Sequence, residues 1–112
     1  VAPQIAAAHT QLVSSSPAAN ATVAGPAKIE LRFNEPVIGA TARATIAMTG
    51  MHGMASHAPM AITGFTAQMG KDRKSMTLLL RRPLTAGTYL VSWTAAGMDT
   101  HRMNGTFTFT VR

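Results

Sequence analysis

Thirteen residues hold the densest chemistry in the chain: Met48-Thr-Gly-Met51-His52-Gly-Met54-Ala-Ser-His57-Ala-Pro-Met60. Four of the eight methionines and two of the four histidines fall in this segment, so it departs from the average composition. Met48, Met51, Met54, His57 and Met60 recur every three residues. Such a period could be an apolar stripe on a helix, and methionine stripes usually pack in cores. Gly50, Gly53 and Pro59 argue against a stable helix. A period of three also fails to match the alternation of a strand. The segment is therefore expected as a loop, where exposed methionines gain little from burial and risk oxidation. Thioether sulfur is a soft, neutral donor that suits Cu(I) and binds hard ions poorly. Several thioethers with one imidazole, His57 first and His52 as a second offer, would make a cuprous site. Core packing and an adaptable apolar docking surface are the competing readings.

A second constellation uses harder ligands. His101 stands in Asp99-Thr100-His101, and in extended chain the two outer side chains point the same way. Glu35 follows an apparent strand, in Phe33-Asn34-Glu35-Pro36, and His9 lies near the start. Imidazole plus carboxylate suits Cu(II), and Asp99 could instead orient His101 from behind. If His9 were the mature N-terminus, its α-amine and imidazole could chelate one ion. Against this, a histidine beside an aspartate is commonly a surface hydrogen bond.

Composition narrows the class. The chain has 112 residues, room for one domain. With 46% hydrophobic and 12% charged residues it reads as globular. No apolar run approaches the length of a membrane span. No cysteine is present, so there are no disulfides and a metal site must use other ligands. The net charge of +6 would suit a polyanion, but the basic residues are scattered. The six aromatics fall mostly on core-facing strand positions, so no nucleic-acid partner is expected. Residues 1–8 read as a signal-peptide remnant or a flexible extension, with Ala6 and Ala8 placed for cleavage before His9. Residues 9–112 form the domain.

The positioning elements read as strands. Ile29, Leu31 and Phe33 alternate with polar neighbours, as do Tyr89, Val91 and Trp93, and Phe107, Phe109 and Val111. Met76, Leu78 and Leu80 give a fourth strand, and weaker ones lie near Gln11–Ser14, Thr41–Met48 and Ala61–Ala67, with a bulge at Gly64. Turns are expected at Ser16-Pro17, Gly25-Pro26, Gly70 to Asp72, Pro83 to Gly87 and Asn104-Gly105. About seven short strands with no ordinary helix predict an all-β, Ig-like fold, a Greek-key sandwich or barrel.

With these residues in place the chain resembles the CopC/PcoC family of copper-resistance proteins from His9 to Arg112. The resemblance rests on His9-Thr-Gln-Leu, Ser15-Ser-Pro17, Pro26-Ala-Lys-Ile-Glu-Leu-Arg-Phe-Asn-Glu35 and the methionine segment. Lys74-Ser-Met76, Pro83-Leu-Thr-Ala-Gly-Thr-Tyr89, Val91-Ser-Trp93 and Asp99-Thr-His101 extend it. It implies a monomeric Greek-key β-barrel in the periplasm that carries or buffers copper and is not an enzyme. It implies a Cu(I) site at Met48, Met51, Met54, Met60 and His57, and a Cu(II) site at the opposite end with His9, Glu35, Asp99 and His101. The implied partners are copper ions, a periplasmic multicopper oxidase and an inner-membrane copper transporter.

Three departures from the family pattern stand out. His9 is not the first residue, His52 adds an imidazole to the loop, and Met98 and Met103 flank Asp99–His101. These last two either pack at the end of the fold or let the second site hold Cu(I) as well. Copper could pass between the two sites on a change of redox state, since each prefers one oxidation state. The alternatives are a copper-dependent oxidative enzyme with a histidine brace, and a metal-free β-sandwich interaction module.

Overall fold

The computed structural model describes residues 10–51 and 58–112. Among these residues the chain forms nine strands. They are β1 (Leu12–Ser16), β2 (Thr22–Val23), β3 (Lys28–Phe33), β4 (Arg43–Met51) and β5 (Met60–Ile62), followed by β6 (Phe65–Met69), β7 (Ser75–Leu80), β8 (Gly87–Ala96) and β9 (Arg102–Val111). A single 3-10 turn at Gly39–Thr41 is the helical content of the described residues, and none of it could cross a membrane.

Two sheets result. One has the order β1-β3-β7-β6, the other β2-β9-β8-β4-β5. Neighbours run antiparallel except β2, which lies parallel to β9. The sheets face each other without closing, so the fold is the sandwich of the two expected forms and not the barrel.

The alternation in the sequence explains the packing. In β3, Ile29, Leu31 and Phe33 point inward and are almost fully buried, while Lys28, Glu30 and Arg32 face water. In β8, Tyr89, Val91, Trp93 and Ala95 face them from the other sheet, joined by Phe107, Phe109 and Val111 of β9. Each of the larger aliphatic and phenylalanine side chains contributes about 1.5–3 kcal/mol by leaving water. Phe33 meets Trp93 edge-on at 5.2 Å across the sheets, and Tyr89 stacks on Phe109 at 5.6 Å. The Tyr89 hydroxyl donates to the Thr85 carbonyl at 2.7 Å and rivets the Pro83–Gly87 turn to the core.

Three details differ from the sequence reading. Asn104-Gly105 is no turn: β9 runs straight through it, and Gly105 pairs with Trp93. A Cβ on Gly105 would lie 2.9 Å from the indole, so glycine is there to let the ring lie flat on the strand. Gly64 is no bulge. Thr63 and Gly64 carry the chain from β5 in one sheet to β6 in the other, and Arg81 N–H binds the Gly64 carbonyl at 2.8 Å. That crossing splits one expected strand in two, and the two-residue β2 supplies the remaining difference between about seven and nine.

Candidate metal sites at the two ends of β8

The first end is built by β4, β5 and the start of β8. Met48 pairs with Tyr89 on one side and Met60 on the other, and Met51 pairs with Gly87. The β4–β8 ladder slips between Met48 and Gly50, a β-bulge. Gly87 lies close over it: a Cβ there would sit 2.6 Å from the Gly50 carbonyl oxygen and 3.1 Å from the Met48 methyl.

The expected methionine loop therefore begins and ends as strand. Met48 is 8% exposed and belongs to the hydrophobic core, while Met51 and Met60 are 47% and 55% exposed. All three line an open groove of about 640 Å³ with Ile62, Leu84 and Tyr89. Arg81 and Arg82, both exposed, line it too. His52, Met54 and His57 lie outside the described residues.

At the far end of β8 three segments are knitted together. Gln11 N–H donates to Asn34 Oδ1 at 2.9 Å, and Asn34 N–H to the Gln11 carbonyl at 3.0 Å. Val37 bridges to Gly97, and Ile38 N–H binds the Ala96 carbonyl at 2.8 Å. Between these anchors sits Glu35, which accepts a hydrogen bond at Oε2 from the Thr10 hydroxyl at 3.2 Å. A Cβ on Gly97 would lie 2.6 Å from Thr10 Oγ1 and 2.7 Å from Glu35 Oε2, so the carboxylate rests directly against the glycine.

Gly97 opens the turn that carries Asp99 and His101, closed by Thr100 N–H on the Gly97 carbonyl at 2.9 Å. Thr100 is left-handed at φ 67°, so this segment is not the extended chain expected. The turn still joins the pair: Asp99 Oδ2 lies 3.4 Å from His101 Nδ1, and Asp99 Oδ1 accepts from the His101 amide at 3.2 Å. The His101 side chain is 67% exposed and that of Asp99 is 23% exposed.

Among the described residues no three His, Asp or Glu side chains stand close enough to hold a metal ion. His9 lies outside them. Met103 is half-buried against the core and Met98 is 65% exposed, so Met98 is the more displayed of the two flanking thioethers.

Sequence reasoning missed Thr10 and Gly97. Thr10 is 1% exposed, the one buried polar side chain among the described residues. Neither has an alternation or spacing signal, because their role comes from three distant segments meeting.

The architecture is an open two-sheet β-sandwich that displays methionines at one end of its central strand and a histidine–aspartate turn at the other. The CopC domain model matches residues 12–112, and the chain belongs to that family. Copper resistance protein C of Escherichia coli is 48% identical over 107 residues, spanning 96% of this chain and 84% of that protein. Copper resistance protein C of Pseudomonas syringae pv. tomato is 45% identical over 108 residues, with the same coverage of both. The crystal structure of PcoC, a methionine-rich copper resistance protein from Escherichia coli, superposes with a TM-score of 0.84 at 44% identity, covering 94% of this chain and all of that one. CopC from Methylosinus trichosporium OB3b gives 0.69 at 28% identity, over 92% and 93% of the two chains.

Proposed function

We propose that this protein binds copper as its cargo in copper resistance and homeostasis, as a periplasmic carrier or buffer and not as a catalyst. The observation that carries this is the pair of exposed thioethers, Met51 and Met60, set on neighbouring strands around one groove. Exposed apolar side chains gathered around a groove mark a binding surface, and thioethers are soft donors that suit Cu(I). Copper-resistance relatives at 45–48% identity support the same metal.

In this reading Cu(I) is taken by Met51 and Met60, with Met54 and His57 of the intervening segment and His52 in reserve. Met48 backs the site from the core. Cu(II) is taken at the other end by Asp99 and His101, with Glu35 and His9. The softness of the donors decides the oxidation state at each end. The receiving or supplying partners are a periplasmic multicopper oxidase and an inner-membrane copper transporter.

The test is separate titration of the metal-free protein with Cu(I) and with Cu(II), in forms that start at Val1 and at His9, followed by X-ray absorption. Sulfur-rich Cu(I) and nitrogen/oxygen-bound Cu(II), the latter tighter when His9 is first, are expected. Absence of Cu(I)–sulfur scattering would overturn the central assignment.

A further inference from the structure

The proposed Cu(II) end contains a feature that ligand chemistry alone does not require: a buried hydroxyl on the carboxylate. Thr10 Oγ1 is withdrawn from water and donates to Glu35 Oε2 at 3.2 Å. A buried hydroxyl without a partner is costly, so the bond holds both groups in place. Three further observations converge on it. Residues 10 and 11 are clamped to residue 34 by the two bonds between Gln11 and Asn34. Residues 37 and 38 are clamped to 96 and 97. The absence of a side chain on Gly97 leaves the space that Thr10 Oγ1 and Glu35 Oε2 occupy.

We infer that Thr10 is the positioning residue of the Cu(II) site, holding the Glu35 carboxylate by one oxygen against Gly97, at the foot of the turn that bears Asp99 and His101. The inference rests on the Cu(II) reading above. A carboxylate that accepts one hydrogen bond at Oε2 keeps Oε1 and further lone pairs for a cation. A donor fixed in this way loses little freedom when the ion arrives, and outer partners of this kind typically set 10- to 100-fold in metal affinity. Thr10 touches no metal in this scheme. It acts through Glu35, and Gly97 is the cavity that makes the contact possible.

The experiment compares Thr10→Val, Thr10→Ser and Gly97→Ala in the full chain with Glu35→Gln and His101→Ala. The readouts are Cu(II) affinity by chelator competition, the Cu(II) electron paramagnetic resonance spectrum, and Cu(I) affinity as the check on folding. Thr10→Val, which keeps the shape and removes the hydroxyl, should weaken Cu(II) by about 10- to 100-fold and change the hyperfine splitting. Thr10→Ser should restore both. Gly97→Ala should change the spectrum in the same sense although the hydroxyl is present, because its Cβ would displace the carboxylate. Cu(I) binding should stay at the wild-type level in all of them. If Thr10→Val keeps the wild-type spectrum and affinity while His101→Ala loses them, the inference is wrong and the site stands. A failure of Thr10→Ser to rescue also overturns it. If His101→Ala and Glu35→Gln leave Cu(II) binding unchanged, the Cu(II) assignment itself falls and takes the inference with it.

Discussion

Leucine in place of each methionine of the groove separates packing from metal binding. Met48 is 8% exposed and its methyl lies against Gly87, whereas Met51 and Met60 are 47% and 55% exposed. Leucine nearly conserves the volume of methionine, so Met48→Leu should cost less than about 1.5 kcal/mol. Met48→Ala leaves a cavity between β4, β5 and β8 and should cost about 2–5 kcal/mol. At roughly 4 °C per kcal/mol for a domain of this size, the melting temperature of the alanine variant falls by about 8–20 °C. Met51→Leu and Met60→Leu sit at the surface and should stay within about 0.5 kcal/mol. Cu(I) affinity should show the opposite order. Met51→Leu and Met60→Leu each remove one sulfur from the Cu(I) absorption spectrum and weaken binding by at least about 10-fold, the lower range for outer-shell changes. Met48→Leu keeps the sulfur count. The assays are thermal denaturation of the metal-free protein, chelator competition for Cu(I), and X-ray absorption. Loss of a sulfur in Met48→Leu, with none lost in Met51→Leu, would falsify the use of exposure to assign ligands.

Three further outcomes test the frame around the sites. Tyr89→Phe removes the 2.7 Å bond to the Thr85 carbonyl and leaves the stacking on Phe109. It should cost about 1 kcal/mol, seen as a lower denaturant midpoint at unchanged m-value. Gly105→Val drives a branched side chain into the Trp93 indole and should cost at least about 1–3 kcal/mol; an unchanged indole fluorescence maximum would count against the flat packing of the ring. Gly87→Ala meets both a positive φ of 154° and a carbonyl oxygen 2.6 Å from its Cβ. It should cost about 1–3 kcal/mol and speed amide exchange at the Met51 end of β4. Native-like protection there would show that the bulge yields without strain.

The sequence exposed whatever has a local period. β3, β8 and β9 were legible because each buries one face, which forces strict alternation. The sandwich class followed, as did the turns at Gly70 to Asp72 and Pro83 to Gly87, where the Asp72 carboxylate accepts from Lys74 N–H at 2.9 Å. Asn104-Gly105 misled because the same dipeptide that favours a hairpin turn can also serve a strand that must accommodate an indole. The Ala61–Ala67 segment looked like one strand because nothing local marks a change of sheet at Thr63 and Gly64. β2 is two residues long and held by parallel pairing to β9, a long-range contact without a periodic trace. At the sites, the donor types were readable from composition. Which methionine faces inward was not, because a period of three is silent about a strand with a bulge. Thr10 and Gly97 were invisible for the same reason that they matter, as each acts only through a neighbour remote in sequence.

β8 runs between the two proposed sites, and its length has a kinetic consequence. Gly87 stands at the methionine end and Ala96 adjoins Gly97 at the other. Nine steps of a strand at about 3.3 Å each separate the two ends by roughly 30 Å. No side chain reaches that far, so an ion released at one end cannot be caught at the other without entering solvent. Movement of copper between the proposed sites therefore passes through solvent or a second carrier, and it needs an electron donor or acceptor from outside, because thioethers favour Cu(I) and the histidine–carboxylate end favours Cu(II). Such a molecule behaves less like a wire with two terminals than like a bead with two unlike poles, each loaded and emptied on its own.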